Sequence, residues 1–292
     1  MFAVCAILFV ACEKEETSDR LSSLDDFSKN SSTIVNENNP YDYCGRIHNE
    51  ILDYIINNNP SPTNEDVFNL TQEFLQKHYN IASEITFEDV DKGYSETTDF
   101  IIDAIINEAS FKEINYSELV AGALDVLVDY SNAIIESNTL PVPQEYAEYL
   151  IEQEDQIVNQ RNADGIPFDE VSEYDVALGM YAIARYSYLY WYEVANHPEN
   201  AWNYVENGSK RHDDDPGFFK KLWNGLCNAV EVVVKVAVTP VVDAAGFVWG
   251  ANLHNIPVPT TSSLINISPN FLSEWWESGL STAGDWSGDV WE

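Results

Sequence analysis

Residues 181–192 read Tyr181-Ala182-Ile183-Ala184-Arg185-Tyr186-Ser187-Tyr188-Leu189-Tyr190-Trp191-Tyr192, and this stretch decides the fold. Tyr181, Ala184, Tyr188, Trp191 and Ala195 share one side of a helix, whereas Tyr186 and Tyr190 point elsewhere. A helix with large rings on several sides must be covered on several sides, which places it centrally among neighbours. It is expected to begin at Glu170 or Ser172 and to end near Asn196, with Pro198 close behind. Arg185 stands amid the rings, where a guanidinium calls for a carboxylate partner or an aromatic face. The alternative use of the stretch is a stacking platform for sugars or aromatic ligands, with Arg185, Tyr188 and Trp191 as binding residues.

Outward from this helix, periodicity is helical from Tyr43 onward. Cys44, Ile47, Ile51, Tyr54, Ile55 and Asn58 fall on one face, and Asn59-Pro60-Ser61-Pro62 stops that helix. Thr63 with Asp66 resembles an N-terminal cap and opens a second helix, reaching Tyr79. Further helices are expected over Thr98–Ala109, Tyr116–Glu136 and, after Pro141 and Pro143, Gln144–Asn162. No run of strict alternation bounded by hairpin turns occurs. The fold class is all-α, a multi-helix bundle over residues 41–255 with an irregular Trp-rich C-terminal tail over 256–292.

The segment Phe218–Gly250 is the most apolar, and four of the 14 basic residues (Lys210, Arg211, Lys220 and Lys221) stand before or at its start. Its length would suit a membrane, but Glu231, Lys235, Pro240 and Asp243 interrupt it, and each charge at mid-bilayer costs about 2.5–3.5 kcal/mol. The favoured reading is a buried helix, kinked or divided at Pro240. The alternative is a segment that lies on or enters a membrane under some trigger.

With 14 basic and 49 acidic residues, the 292-residue chain carries a net charge of -35. Nucleic acid is excluded as a partner, because phosphates demand a basic surface. Adsorption of the whole domain to anionic headgroups is disfavoured for the same reason. Solubility through self-repulsion accounts for the charge more simply than binding of cationic ligands.

The N-terminus reads Met1-Phe2-Ala3-Val4-Cys5-Ala6-Ile7-Leu8-Phe9-Val10-Ala11-Cys12, followed by Glu13-Lys14-Glu15-Glu16. Eleven residues before Cys12 are too few to span a bilayer, which takes about twenty apolar residues, but they suit a signal peptide's apolar region. Phe9-Val10-Ala11-Cys12 resembles the lipobox of bacterial lipoproteins, which implies cleavage before Cys12, acylation of its thiol and attachment to a membrane. Phe9 departs from the usual leucine, and no basic region precedes the apolar run, which suggests a start placed too late or a trimmed end. Lys14-Glu15-Glu16 resembles the export signal of Bacteroidota lipoproteins and implies an outer-membrane, surface-exposed location; the plain alternative is a charged tether. Residues 1–11 are therefore read as signal, and 12–40, rich in Ser, Asn, Asp and Glu, as a lipidated flexible tether. Two further stretches, Asn39-Pro40-Tyr41-Asp42 leading to Gly45 and His48-Asn49, and Ala184-Arg185-Tyr186-Ser187 leading to Tyr190-Trp191, resemble uncharacterised proteins of the same group. That resemblance implies origin and fold and carries no activity.

Among groups capable of chemistry, His48 with Glu50 and Asp53 is the best polar constellation for acid–base work, and the rival functional class is a hydrolase centred there. The five histidines are scattered, so no metal or other cofactor is expected, and a structural histidine is the favoured reading. Asn162-Ala163-Asp164-Gly165 begins like a calcium loop but places Val171 where a glutamate is required. Asp213-Asp214-Asp215-Pro216-Gly217 reads as a turn. Cys44 and Cys227 either form a disulfide or remain two buried thiols. The favoured function is binding, as a surface lipoprotein whose ligand or protein partner the sequence does not name.

Overall fold

In a computed structural model, described for residues 34–60, 62–79, 86–113, 116–167, 172–197 and 231–253, helices account for the secondary structure and no strand occurs among the described residues. They are α1 (Tyr43–Asn58), α2 (Asn64–Tyr79), α3 (Phe87–Asn107), α4 (Glu118–Ser137), α5 (Pro143–Asp164), α6 (Glu173–Asn196) and α7 (Glu231–Leu253), with a 3-10 turn at Phe111–Glu113. All seven helices belong to one compact unit that begins at Asn36.

Short-range signals set the helix starts. Thr63 and Asp66 exchange side-chain-to-backbone bonds at the head of α2, and Ser117 Oγ accepts from Val120 N–H at the head of α4. Asp175 accepts from both the backbone N–H and the hydroxyl of Ser172 as α6 begins. Pro143 occupies the first position of α5, where its missing N–H costs nothing. One start departs from expectation: α3 begins at Phe87, eleven residues before Thr98. Thr86 and Asp89 form a capping box there, and Gly93, an apparent helix breaker, is the point where another helix makes contact.

The centre is α6 against α7. Every residue from Tyr174 to Trp191 is buried, so these rings form part of the core. Around this pair, α7 also packs on α4 and α3, and α6 on α1, α5 and α4. Burying a single Val, Leu or Phe stabilises by roughly 1.5–3 kcal/mol, and α7 alone buries Val233, Val234, Val236, Val238, Val241, Val242, Phe247 and Val248. Pro240 sits inside α7 without dividing it. Proline lacks the N–H that would serve the Val236 carbonyl four residues back, one residue before the carbonyl that α4 reaches. Ser131 Oγ from α4 donates to the carbonyl of Ala237 in that turn at 2.7 Å.

The tether expected over 12–40 ends earlier. Asn36 and Asn39 are 4% and 3% exposed and bonded to α5 and α6, so residues 36–40 belong to the folded body. Composition alone made them resemble linker, because an asparagine amide reads as polar whether it meets water or a buried acceptor. Cys12, the signal region, most of the tether, Asp213–Gly217, Cys227 and the tail over 256–292 lie outside the described residues. So do residues 218–230 of the apolar segment.

Candidate functional site

The chemistry-bearing side chains gather at two buried junctions. At the first, α1 supplies His48 and Asn49, α6 supplies Ser187, and α7 supplies Asp243. His48, Ser187 and Asp243 are all completely buried. His48 Nε2 lies 3.4 Å from Asp243 Oδ2, and Ser187 Oγ donates to the same oxygen. His48 Nδ1 lies 3.0 Å from Asn49 Oδ1, while Asn49 Nδ2 donates to the carbonyl of Tyr186 at 2.9 Å. The residue types match those of a hydrolytic triad, but the order does not. In a triad the histidine stands between serine and carboxylate so that it can take the serine's proton. Here the carboxylate takes the serine's hydrogen bond itself, and none of the three side chains reaches the surface.

The three residues expected to act together do not converge. His48 faces inward. Glu50 faces out, pairing with Arg46 at 2.6 Å and accepting from Tyr79 OH at 2.9 Å. Asp53 accepts from Tyr190 OH at 3.1 Å. Burial pushes the Asp53 carboxyl up to about 6; the Tyr190 bond opposes the rise, and Glu50 adds to it.

At the second junction, Arg185 donates from Nε and Nη2 to Glu154 of α5 at 3.1 and 2.9 Å, and from Nη2 to Asp42 at 2.7 Å. The Tyr186 ring lies 5.3 Å from the guanidinium carbon. Both partners anticipated for a buried arginine, a carboxylate and an aromatic face, are therefore present. Burial pushes Glu154 above the usual carboxylate range, against the opposing pull of Arg185 and Asn36. Tyr188 stacks on Tyr146 at 3.8 Å and donates to the carbonyl of Pro141. Trp191 is fully buried against Tyr190.

Asp243, Ser187, Glu154, Asp42 and Asn36 were not foreseen as members of these junctions. One signal was present: an aspartate in an otherwise apolar helix demands a buried partner. Asp164, in the failed calcium loop, instead receives the Tyr174 hydroxyl, while Gly165 ends α5 at φ 71°. Among the described residues, no three His, Cys, Asp or Glu side chains gather as metal ligands would. The helix window Glu231–Ala251 is long and apolar enough to cross a membrane by length and composition, with mean hydropathy 1.7, and 83% of it is buried inside the bundle. Compared with protein-family models, curated proteins and solved structures, the chain matches none.

Proposed function

We propose that this chain is a cell-envelope lipoprotein, cleaved before Cys12 and acylated on it, whose helical body acts by binding a partner. The observation that carries the reading is the apolar run ending in Phe9-Val10-Ala11-Cys12, followed at once by Glu13-Lys14-Glu15-Glu16. On this reading the protein belongs to a Bacteroidota-type envelope and faces outward from the outer membrane, held by its acyl chains. Two chains or equivalent signals are needed for stable attachment, because one acyl chain binds only marginally.

Binding is favoured over catalysis because the polar groups best suited to chemistry are engaged inside the bundle. His48 is sealed against Asp243, and Arg185 is held by Glu154 and Asp42. The net charge of -35 weighs against nucleic acid and anionic lipid as partners. A membrane-active role for α7 has one support, its length and mean hydropathy, and the burial of its sides counts against it.

Intact mass analysis of the protein from its native host tests the anchor. A mature chain starting at acylated Cys12 is expected, and Cys12→Ala should leave an unprocessed chain in the soluble envelope fraction. An uncleaved, unmodified Cys12 would overturn the reading.

A further inference from the structure

Four tyrosine rings form one column where α4, α5 and α6 meet. Tyr188 of α6 and Tyr146 of α5 lie parallel, 3.8 Å apart at 4°. Tyr130 of α4 follows at 5.2 Å from Tyr146, and Tyr149 of α5 ends the row at 4.1 Å from Tyr130. Tyr188 and Tyr146 are buried, whereas Tyr130 and Tyr149 are half-exposed, so the column runs from the core to the surface.

The surface end is acidic. Glu145 and Glu152 flank Tyr149 by one helical turn on either side, Asp129 precedes Tyr130, and all three carboxylates are exposed. Burial, then Asp129 and Glu152, push the Tyr149 phenol up; burial, then Tyr149 and Glu145, push up that of Tyr130. These carboxylates therefore stand beside the rings. No lysine or arginine occurs in residues 113–160, and Arg161 at the far end of α5 is sealed against Asp175. Neither helix supplies an exposed cation to answer the acids.

Acidity alone serves solubility. What distinguishes this face is a polar group inside the column. Tyr146 is 1% exposed, and its hydroxyl finds no hydrogen-bond partner among the described residues. Burial, then the nearby hydroxyls of Tyr188, Tyr130 and Tyr149, push its phenol up, so it is directed among the same rings. An arginine side chain suits this arrangement. Its guanidinium is flat enough to continue a stack of rings, carries donors for carboxylates and phenol oxygens, and keeps its charge. An ammonium brings the charge without the plane.

We propose that the open end of this column, at Tyr149, is a docking surface for an arginine-bearing segment of a partner protein. The guanidinium stacks on Tyr149, pairs with Asp129 and Glu152, and turns its remaining N–H groups toward the tyrosine hydroxyls. This names the partner's chemistry for the binding role proposed above and rests on that role, but not on Cys12.

Calorimetric titration of the full chain with a blocked tri-arginine peptide, in about 0.15 M salt, tests it. Binding is expected, at least ~5-fold tighter than that of blocked tri-lysine or spermidine. Tyr149→Ala should weaken it ~5-fold or more, and so should the surface pair Glu145→Gln with Glu152→Gln, which decides the matter if Tyr149→Ala fails to fold. Asp99→Asn with Asp103→Asn, an equal change of charge on exposed positions of α3, should leave the affinity within about two-fold. No binding, equal affinity for tri-lysine or spermidine, or equal weakening by the α3 pair would overturn the proposal. Each of those results leaves the anchor, read by mass at Cys12, standing.

Discussion

His48 Nε2 of α1 lies 3.4 Å from Asp243 Oδ2 of α7, and neither side chain is exposed to solvent. Ser187 of α6 donates to that same oxygen, so one carboxylate joins three helices. Removing a buried polar side chain leaves the groups packed against it in an apolar interior, at a cost of about 1–3 kcal/mol for each polar group left unsatisfied. His48→Ala and Asp243→Ala should each destabilise on that scale in urea unfolding. Their double-mutant cycle should show coupling of at least about 1 kcal/mol. Additive losses would mean that the two residues act independently.

The glycines make opposite predictions. A Cβ on Gly45 would lie 2.4 Å from the Ala182 carbonyl oxygen, and one on Gly93 would lie 2.1 Å from the Trp249 ring. Gly45→Ala must push α1 off α6 and should cost about 1–3 kcal/mol. Gly93→Ala should be relieved at least in part by Trp249→Ala, since the obstacle there is a side chain. A Cβ on Gly122 would meet nothing within 4 Å, so Gly122→Ala should stabilise α4 by about 0.5–1 kcal/mol. Thermal unfolding of the three variants reads the signs directly.

Asp53 gives a pH dependence of defined sign. Its folded carboxyl titrates at about 6 because of burial, whereas an unfolded aspartate titrates near ~3.9. Between those values the folded chain holds more protons, so this group's contribution to stability falls as pH rises from about 4 to about 6. Asp53→Asn removes the titration while keeping an acceptor for Tyr190. The variant should therefore gain on the native chain by about 1–2 kcal/mol between pH 4 and pH 7, allowing for the solvent that reaches this half-buried side chain. A stability difference that stays flat across that range would refute the assignment.

Ser131 serves the backbone of another helix. Its hydroxyl reaches the Ala237 carbonyl of α7, one turn before Pro240. Ser131→Ala should cost about 0.5–1.5 kcal/mol, the net worth of one buried hydrogen bond, whereas Ser137→Ala on the exposed end of the same helix should cost a fraction of that. Equal losses at the two positions would show that the interior bond contributes nothing special.

Much of the fold was legible in local order. Thr63 with Asp66, Pro143 and Gly165 mark helix ends by bonds that span a few residues, so spacing alone exposes them. The start of α3 at Phe87 is marked by Thr86 and Asp89 at the same spacing as Thr63 and Asp66, while the close approach of Trp249 to Gly93 is visible only in three dimensions. The junctions were less legible. Arg185 announced its need for a carboxylate but not which of the chain's 49 acidic residues would answer. His48 was visible as a histidine near Glu50 and Asp53, yet its neighbour is Asp243.

By itself the sequence determined the helical class, the central place of residues 174–191 and the acidity that argues against nucleic-acid partners. These follow from periodicity, ring size and net charge, which need no knowledge of what touches what. Only the tertiary structure decided that His48 is sealed inside, that Glu50 faces away from it, and that residues 36–40 belong to the body. Each depends on which buried donor meets which buried acceptor, a matter of three-dimensional proximity between residues far apart along the chain.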